Sequence, residues 1–426
     1  MYCGSCLRDN ALASGLGALG WDVTLLPLYT PIRVDGEDRS VDRVFFGGIN
    51  VYLQQRIPLF RHLPAFLDRW LDNPALIRRL ASGAMSVSAR ELGSLALSMA
   101  KGEHGHQRKE VRRLACWLRD EAKPDLVCLT NLLVGGSIPL LKRELGVPVL
   151  VTLQGDDLFL GELEEPWKTQ VFGEMRRLAR EADGFLTFSE HYRDHIGTLL
   201  EIPPERFDIV PLGMDVASFD AVRDALSARA PGRVLGYFAR LAPEKGFDLA
   251  VGAFLELAPR FPDMRFHAGG WLSKKDGPYL DGQVARIDRA GLSDRFRLEV
   301  APDSERKMEF LKSFDVFAVP ARFVEPKGLY ALEAMACGLP VVAPERGAFP
   351  EMVAAGAGAA LCRPDDAADL AGVLAELLGN PSQARKLGRR GREWVERSNG
   401  REAMAQATAE VFGRYLRDQR ENSAPS

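Results

Sequence analysis

Two glutamates, Glu325 and Glu333, flank a glycine where an apolar helical pattern begins. The pattern predicts a helix over Leu329–Cys337, after a loop that holds Glu325 and Gly328. The first N–H groups of a helix favour an anion, most naturally a phosphate. Glu333 would lie about 7.5 Å along the axis, where its carboxylate can accept hydrogen bonds from two sugar hydroxyls. The stretch suits a sugar, a diphosphate and a nucleoside in line; two solvated glutamates are the alternative.

Two cations follow another predicted strand. Arg240 and Lys245 lie in a loop that ends at Gly246, and Asp248 begins the next helix. Two cations at the carboxyl end of a strand can neutralise a diphosphate without a metal. Surface charge would explain this loop taken alone. The diphosphate interpretation is favoured because both loops are expected at the same edge of one domain.

The elements that must position these residues alternate between short apolar runs and helical patterns. The runs are rich in Val and Leu, as strands buried on both faces must be, and the alternation predicts parallel sheets. One set of strands is predicted at Asp22–Leu28, Asp125–Thr130, Val147–Leu153, Gly184–Ser189 and Asp208–Leu212. A second set is predicted at Arg233–Arg240, Met264–Gly270, Phe296–Val300, Asp315–Pro320 and Leu339–Pro344. A weakly patterned stretch, Gly213–Gly232, separates the two sets and is expected to be a hinge.

The predicted fold is therefore α/β, with two Rossmann-like, doubly wound domains facing a cleft in which ligands bind. We expect a first domain over residues 1–214, with a helical insertion at about 56–110. A second domain is expected over residues 215–400, followed by a helix over residues 401–420 that crosses back to the first domain.

Composition restricts the class of protein. The chain has 426 residues and a net charge of -3, so no nucleic-acid partner is expected. No uninterrupted apolar run approaches about 18 residues, and no signal peptide is visible, so a cytoplasmic protein is expected. The segment Arg56–Ser82 is rich in Leu, Phe, Trp and Arg. It is either an inserted helical pair or a peripheral contact with the inner face of a membrane or a lipid-linked acceptor.

Taken together, the motifs resemble those of the retaining glycosyltransferases of family 4, which have the GT-B fold. The E-x7-E pattern of that family is matched by Glu325 and Glu333. Its R-L-x-x-x-K-G loop is matched by Arg240–Gly246, and its G-L-x-x-L-E-A-M-A-x-G-x-P-V-V segment by Gly328–Val342. Its linker motif resembles Leu212–Asp215.

The resemblance implies an enzyme that moves a sugar from a nucleotide-diphosphate donor with retention of configuration and without a metal. Arg240 and Lys245 would hold the diphosphate and offset leaving-group charge. Glu333 would hold the ribose, and Glu325 would contact the donor sugar and stabilise an oxocarbenium-like state. The expected catalytic residues are Glu325, Arg240, Lys245 and Gln154. The expected donor-binding residues are Glu333, Gly328, Leu329 and Gly4.

Two positions depart from the family pattern. Where many members have a histidine in T-x-H-G, this chain has Gln154, which can hydrogen-bond a sugar hydroxyl but cannot accept a proton. His191 follows another predicted strand and faces either the cleft or the surface. Lys327 adds a positive charge beside the donor site. The acceptor is not identified by the sequence; an envelope glycan or a lipid-linked sugar are hypotheses.

The N-terminus carries a C-x-x-C pair, Cys3 and Cys6. A redox or zinc site is one interpretation, but no second pair at ligand spacing supports it. The alternative is a tight turn in which Gly4 approaches the donor phosphates or the acceptor, before a helix that begins at Asp9 or Asn10. Family members usually begin with a strand before this turn. Either the true start precedes the first residue, or the first sheet lacks a strand.

Other functions remain open within the same fold. A phosphorylase or a sugar-nucleotide epimerase could use the same cleft, and a degenerate transferase could act as a binding scaffold. The intact Glu325, Glu333, Arg240 and Lys245 argue against the scaffold.

Overall fold

The structure is a computed structural model that describes residues 4–28, 39–41, 44–46, 48–62, 89–161 and 163–423. The chain divides into two compact units, Met1–Pro211 with Met404–Ser426, and Leu212–Ala403. Each unit contains a sheet of parallel strands with helices between successive strands. The predicted α/β class with two parallel sheets is confirmed.

The first unit is built on a four-stranded sheet in the order β1-β2-β3-β4, with every pair parallel. The strands are Val127–Leu129 (β1), Val149–Thr152 (β2), Gly184–Thr187 (β3) and Phe207–Ile209 (β4). The helices before β1 are Gly4–Ala18 (α1), Gly48–Arg56 (α2), Pro58–His62 (α3), Ala89–Ala100 (α4) and Arg108–Trp117 (α5). Those after β1 are Ile138–Leu145 (α6), Asp156–Gly161 (α7), Trp167–Glu181 (α8) and Glu190–Leu200 (α9).

Two layers of apolar side chains cover this first sheet. On one side, helices α4 to α9 pack a large core against Val149 and Val151. On the other side, Leu150 and Leu186 contact α1 and the last helix of the chain, through residues such as Phe412. Alternate residues of β2 thus point into opposite layers, as the pleat of a strand requires.

The second unit has a six-stranded parallel sheet in the order β10-β9-β8-β5-β6-β7. The strands are Val234–Phe238 (β5), Arg265–Gly270 (β6), Phe296–Val300 (β7), Val316–Ala318 (β8), Val341–Pro344 (β9) and Ala359–Cys362 (β10). The chain runs from β5 to one edge and returns to place β8 on the other side of β5. This reversal is the switch point of a doubly wound sheet, beside which ligands bind.

Helices cover both faces of the second sheet. They are Asp220–Ala228 (α10), Phe247–Leu257 (α11), Gly277–Arg289 (α12), Ser304–Leu311 (α13), Leu329–Ala336 (α14), Phe349–Ala354 (α15), Ala367–Gly379 (α16) and Pro381–Ser398 (α17). The last helix, Arg401–Ser423 (α18), belongs to the first unit from Met404 onward. None of the helices in the described ranges is both long and apolar enough to span a bilayer.

Two strand predictions differ from the structure. Asp22–Leu28 is not a strand: only Leu25 forms an isolated bridge, to Ser40, and Pro27 has no N–H to continue a ladder. Strand β10 was missed because two of its four residues are alanine, which has little strand preference, and it contains no valine. The stretch Gly213–Gly232, between the two sets of strands, contains helix α10.

The N-terminal helix also differs from its prediction. It begins at Gly4, not at Asp9 or Asn10, so Gly4 lies in its first turn and not in a separate tight turn. Gly and Ser are tolerated there because the first N–H groups have no partner within the helix. The described part of the expected insertion at about 56–110 includes helices α3 and α4 and the start of α5. Residues 63–88 of this insertion lie outside the described residues.

Two glycine substitutions in the second unit should change stability in opposite directions. Gly246 has φ +67°, and a Cβ there would lie 1.9 Å from the carbonyl oxygen of Pro320, so Gly246→Ala should lower the free energy of unfolding by about 1–3 kcal/mol. Gly282, inside α12, has open space around it, so Gly282→Ala should raise that free energy by about 0.5–1 kcal/mol. Urea denaturation measures both, and equal effects would contradict the close approach at Gly246.

Candidate functional site

The two motif loops of the second unit lie side by side at the switch point. Strand β5 pairs with β8 through Leu235 with Val316 and Gly236 with Phe317. The carboxyl ends of both strands therefore meet at one edge, and each is followed by one motif loop. A backbone hydrogen bond joins the loops, from the N–H of Arg322 to the carbonyl oxygen of Glu244, at 2.9 Å.

A buried ion pair connects the loops more strongly. Lys245 Nζ lies 3.1 Å from Glu325 Oε2, and the side chains are only 14% and 6% exposed. The Lys245 ammonium also lies over two aromatic rings, 4.2 Å from the centroid of Phe323 and 4.7 Å from that of Tyr330. Rings and carboxylate together surround the cation on several sides, which stabilises its charge away from water.

Opposing effects set the protonation of Glu325. Burial by itself would raise the pKa of Glu325, but the Lys245 charge and the N–H of Gly328 lower it further than burial raises it. The net pKa lies below its ordinary value of 4.5, so Glu325 is a carboxylate at neutral pH. Burial, followed by the charge of Glu325, raises the pKa of Tyr330 well above its ordinary range, which keeps this phenol neutral.

Backbone contacts fix the position of Glu325. The N–H of Gly328 donates to Glu325 Oε1 at 3.1 Å, and the N–H of Ala348 donates to the Glu325 carbonyl oxygen at 2.9 Å. Gly347 has φ +66°, and a Cβ there would lie 2.5 Å from the Glu325 carbonyl oxygen. Gly347 thus allows the two loops to approach closely at Glu325, a contact that the sequence alone did not reveal because it joins separate loops.

Helix α14 begins directly behind this carboxylate. Gly328 is its N-cap, in the left-handed region with φ +60°, and its N–H is engaged by Glu325. The N–H groups expected to face an anion are therefore those of Leu329 and Tyr330, in the first turn, where the helix supplies no carbonyl partner. The first N–H group expected to face an anion is therefore that of Leu329 and not that of Gly328.

Arg240 lies in the same loop as Lys245 but has a different partner. Its Nη2 lies 2.7 Å from Glu244 Oε1, and both side chains are partly exposed. The Tyr237 hydroxyl donates to the Arg240 carbonyl oxygen at 3.0 Å and holds this end of the loop. Arg240 is thus a partly exposed cation near the edge, whereas Lys245 is a largely buried one.

Glu333 lies in α14, as predicted, and is paired with a residue outside the predicted site. Lys307 Nζ lies 2.8 Å from Glu333 Oε1. No signal in the sequence marks Lys307, since it is one of several charged residues in α13. The contact arises from the packing of two helices that are distant in sequence.

In the first unit, Gln154 follows strand β2 and is buried. Its Nε2 donates to the Thr130 carbonyl oxygen at 2.8 Å, which ties the loops after β1 and β2 together. The next residue, Gly155, has φ +113° and donates its N–H to the Tyr192 hydroxyl at 2.8 Å. Gln154 therefore lies in a loop whose backbone is held on both sides.

A histidine near this loop was not predicted. His195 Nε2 lies 3.1 Å from Asp157 Oδ2, and the Tyr192 hydroxyl donates to Asp157 Oδ1 at 2.6 Å. The hydrogen bond to Asp157 raises the pKa of His195 above its ordinary value. Burial alone would raise the pKa of Asp157, but the bonds from His195 and Tyr192 lower it. His191, which the sequence suggested, is exposed.

The N-terminal cysteines do not form a described site. Cys3 lies outside the described residues, and Cys6 lies in α1. Nowhere in the described ranges do three or more His, Cys, Asp or Glu side chains lie close enough together to hold a metal ion.

Two family profiles match the sequence and together cover most of it. The profile described as "Glycosyl transferase 4-like domain" matches residues 9–213. The profile described as "Glycosyl transferases group 1" matches residues 218–394, which include both motif loops of the second unit.

Curated relatives carry transferase names. The D-inositol 3-phosphate glycosyltransferase of Segniliparus rotundus is 29% identical over 263 residues, which are 59% of this chain and 58% of the relative. The lipopolysaccharide core biosynthesis mannosyltransferase LpcC of Rhizobium leguminosarum bv. viciae is 30% identical over 233 residues, 53% of this chain and 64% of the relative. The chain thus spans little more than half the length of the curated relatives that it matches.

Solved structures support the fold. Sucrose-phosphate synthase from Thermosynechococcus elongatus superposes with a TM-score of 0.69 at 19% identity, covering 96% of this chain and 92% of that one. HepE of Anabaena, solved with UDP-glucose, superposes with a TM-score of 0.61 at 17% identity, covering 92% and 100%. These likenesses confirm the predicted GT-B fold.

The His195–Asp157 pair should make stability depend on pH. Because the folded pKa of His195 lies above the ordinary value of 6.5, the pair contributes fully below that pH and its contribution is lost as pH rises through the raised pKa. Asp157 stays ionised in this range because its pKa is lowered. The free energy of unfolding lost in His195→Gln, measured with urea from about pH 5 to pH 8, should therefore shrink as pH rises.

Two variants control this experiment. Asp157→Asn should show the same trend, and the double variant should add little to either single one. His191→Gln removes an exposed histidine of the same helix. A loss in His195→Gln that is constant with pH would show that the pair does not carry the pH dependence.

Proposed function

Because the chain belongs to the GT-B glycosyltransferases of the family 4 type, we propose that it is an enzyme that transfers a sugar from a nucleotide-diphosphate donor with retention of configuration. The observation that carries this proposal is the Lys245–Glu325 pair at the switch point. It places a fixed cation and an ionised carboxylate beside the first turn of α14, where a diphosphate and its sugar would meet.

The donor would lie along the start of α14. Lys245, Arg240 and the N–H groups of the first turn can neutralise the diphosphate without a metal. Glu333, farther along the same helix, can accept the hydroxyl hydrogen bonds of the ribose. The order of groups on the protein then matches the order of groups in the donor.

The proposed reaction exchanges one bond to the anomeric carbon for another. The bond from this carbon to the diphosphate oxygen breaks, and the acceptor hydroxyl oxygen bonds to it on the same face. The proton of that hydroxyl leaves with the diphosphate. Lys245 and Arg240 offset the negative charge that develops on the leaving group.

Glu325 has a different role because it is ionised. A carboxyl group with a lowered pKa is already ionised at neutral pH and has no proton to donate, so Glu325 does not protonate the leaving group. It accepts hydrogen bonds from sugar hydroxyls and offsets positive charge on an oxocarbenium-like ring. Gln154 of the first unit is retained in the proposal as a group that binds a sugar hydroxyl; its amide N–H to Thr130 fixes its orientation.

The acceptor is proposed to be lipid-linked or part of an envelope glycan, reached through peripheral membrane contact of residues 56–82. Of this segment, residues 56–62 lie within the described part of the chain. Leu59 there is 65% exposed, and Ile57 beside it is also exposed. Exposed apolar side chains next to arginines are typical of an interfacial segment.

A donor panel tests the proposed function. UDP-, GDP-, ADP- and TDP-sugars are added to the full chain in the presence of EDTA, and the melting temperature is recorded. At least one donor should raise it, because ligand binding to the folded state stabilises that state. Glu333→Ala should reduce the shift, since the ribose loses its acceptor.

The control is Glu309→Ala, which removes an exposed glutamate of α13. It should leave the shift unchanged. Absence of a shift across the whole panel would overturn the donor assignment, and a shift only with added metal would overturn metal independence. Consumption of inorganic phosphate with a glycoside would identify a phosphorylase instead.

Membrane contact has its own test. The full chain is sedimented with vesicles of phosphatidylcholine and phosphatidylglycerol, and Leu59→Asp should sediment less than the wild type. Leu19→Asp is the matched control, because Leu19 is also an exposed leucine but lies outside the segment. Equal sedimentation of Leu59→Asp and wild type would contradict a contact through this segment.

A further inference from the structure

Lys307 forms a largely buried ion pair in the proposed nucleoside region. Its Nζ lies 2.8 Å from Glu333 Oε1, and the side chains are 20% and 17% exposed. Removing two charges from water is costly unless each is compensated. Lys307 therefore compensates the charge of Glu333, the carboxylate that is proposed to bind the ribose.

The fold delivers Lys307 to this position. Helix α13 connects β7, at one edge of the sheet, to β8 near its centre. Its start is fixed by Asp303, whose Oδ1 accepts the N–H of Arg306 at 2.9 Å, so Lys307 lies in the first turn. Phe310 of the same helix is buried, with its ring centroid 5.2 Å from that of Phe314, and anchors the helix to the core.

Two aromatic rings restrict the Lys307 ammonium. Nζ lies 5.6 Å from the ring centroid of Phe238, at the end of β5, and 5.9 Å from that of Phe219, before α10. An exposed lysine samples many rotamers, whereas this one is held between the two rings and Glu333. The cation thus has one principal position.

The pair fixes the direction in which Glu333 can accept hydrogen bonds. Lys307 engages Oε1, and Glu333 Oε2 has no hydrogen-bond partner within the described ranges. An ionised carboxylate held by one charged donor presents its remaining lone pairs in a defined direction. Without Lys307 the carboxylate could rotate about its last torsion, and its charge would be uncompensated.

We propose that Lys307 positions Glu333 for the hydroxyls of the donor's ribose, so that the site selects ribonucleotides over 2′-deoxyribonucleotides. The inference rests on the proposed function, because it requires a nucleotide at α14. Lys307 is a positioning residue: it acts through Glu333 and does not touch the reacting atoms.

Calorimetry with paired nucleotides tests the inference. UDP, ADP and GDP are titrated into the full chain beside their 2′-deoxy counterparts. Wild type should bind its preferred ribonucleotide about tenfold or more tightly than the deoxy form, because a hydrogen bond to a charged group is lost. Lys307→Met should bring this ratio close to one by weakening the ribonucleotide, while Lys307→Arg should keep most of the preference.

Lys312→Met is the matched control, because Lys312 follows the same helix and pairs with Glu309 instead. Its preference for the ribonucleotide over the deoxynucleotide should equal that of wild type.

If Lys307→Met proves unfolded by circular dichroism, Lys307→Gln, which keeps one donor without the charge, should show an intermediate preference. A variant that weakens both nucleotides of a pair equally would overturn the inference and leave the proposed function standing. Failure of wild type to bind any of the three nucleotides would overturn both.

Discussion

Strand β5 pairs with β8, and the geometry of the site depends on this one pairing. It brings together two loops that are far apart in sequence, and the Lys245–Glu325 ion pair joins them. Each loop alone would be a surface turn with charges. Side by side, they place the Lys245 ammonium, the Glu325 carboxylate and the first turn of α14 at one short edge of the second sheet.

The ion pair also links the site to the stability of its unit. A buried pair contributes little compared with apolar packing, but removing one partner leaves an uncompensated charge and costs about 3–5 kcal/mol. Phe323 and Tyr330 make the arrangement less costly because their ring faces attract the ammonium. The candidate site is therefore preorganised, and substitutions in it should affect folding as well as the proposed chemistry.

Sequence reasoning succeeded where the relevant pattern is local. The loops of Lys245 and Glu325 each follow an apolar strand and precede a helix, so their place at a sheet edge could be predicted. The partners Lys307 and His195 could not, because helix packing decides them and neither residue type is unusual at its position. Strand β10 was missed because alanine carries little strand preference, although pairing with β9 buries it.

The last helix gives the chain an order of assembly. From Met404 onward, α18 supplies Met404, Ala405 and Phe412 to the apolar layer beneath Leu150 and Leu186. During synthesis every residue of the second unit leaves the ribosome before this layer can close. The second unit can fold as soon as it emerges, whereas the first must wait for α18 with one face of its sheet covered only by α1. Chaperone dependence and sensitivity to early termination would thus concentrate in the unit that is made first.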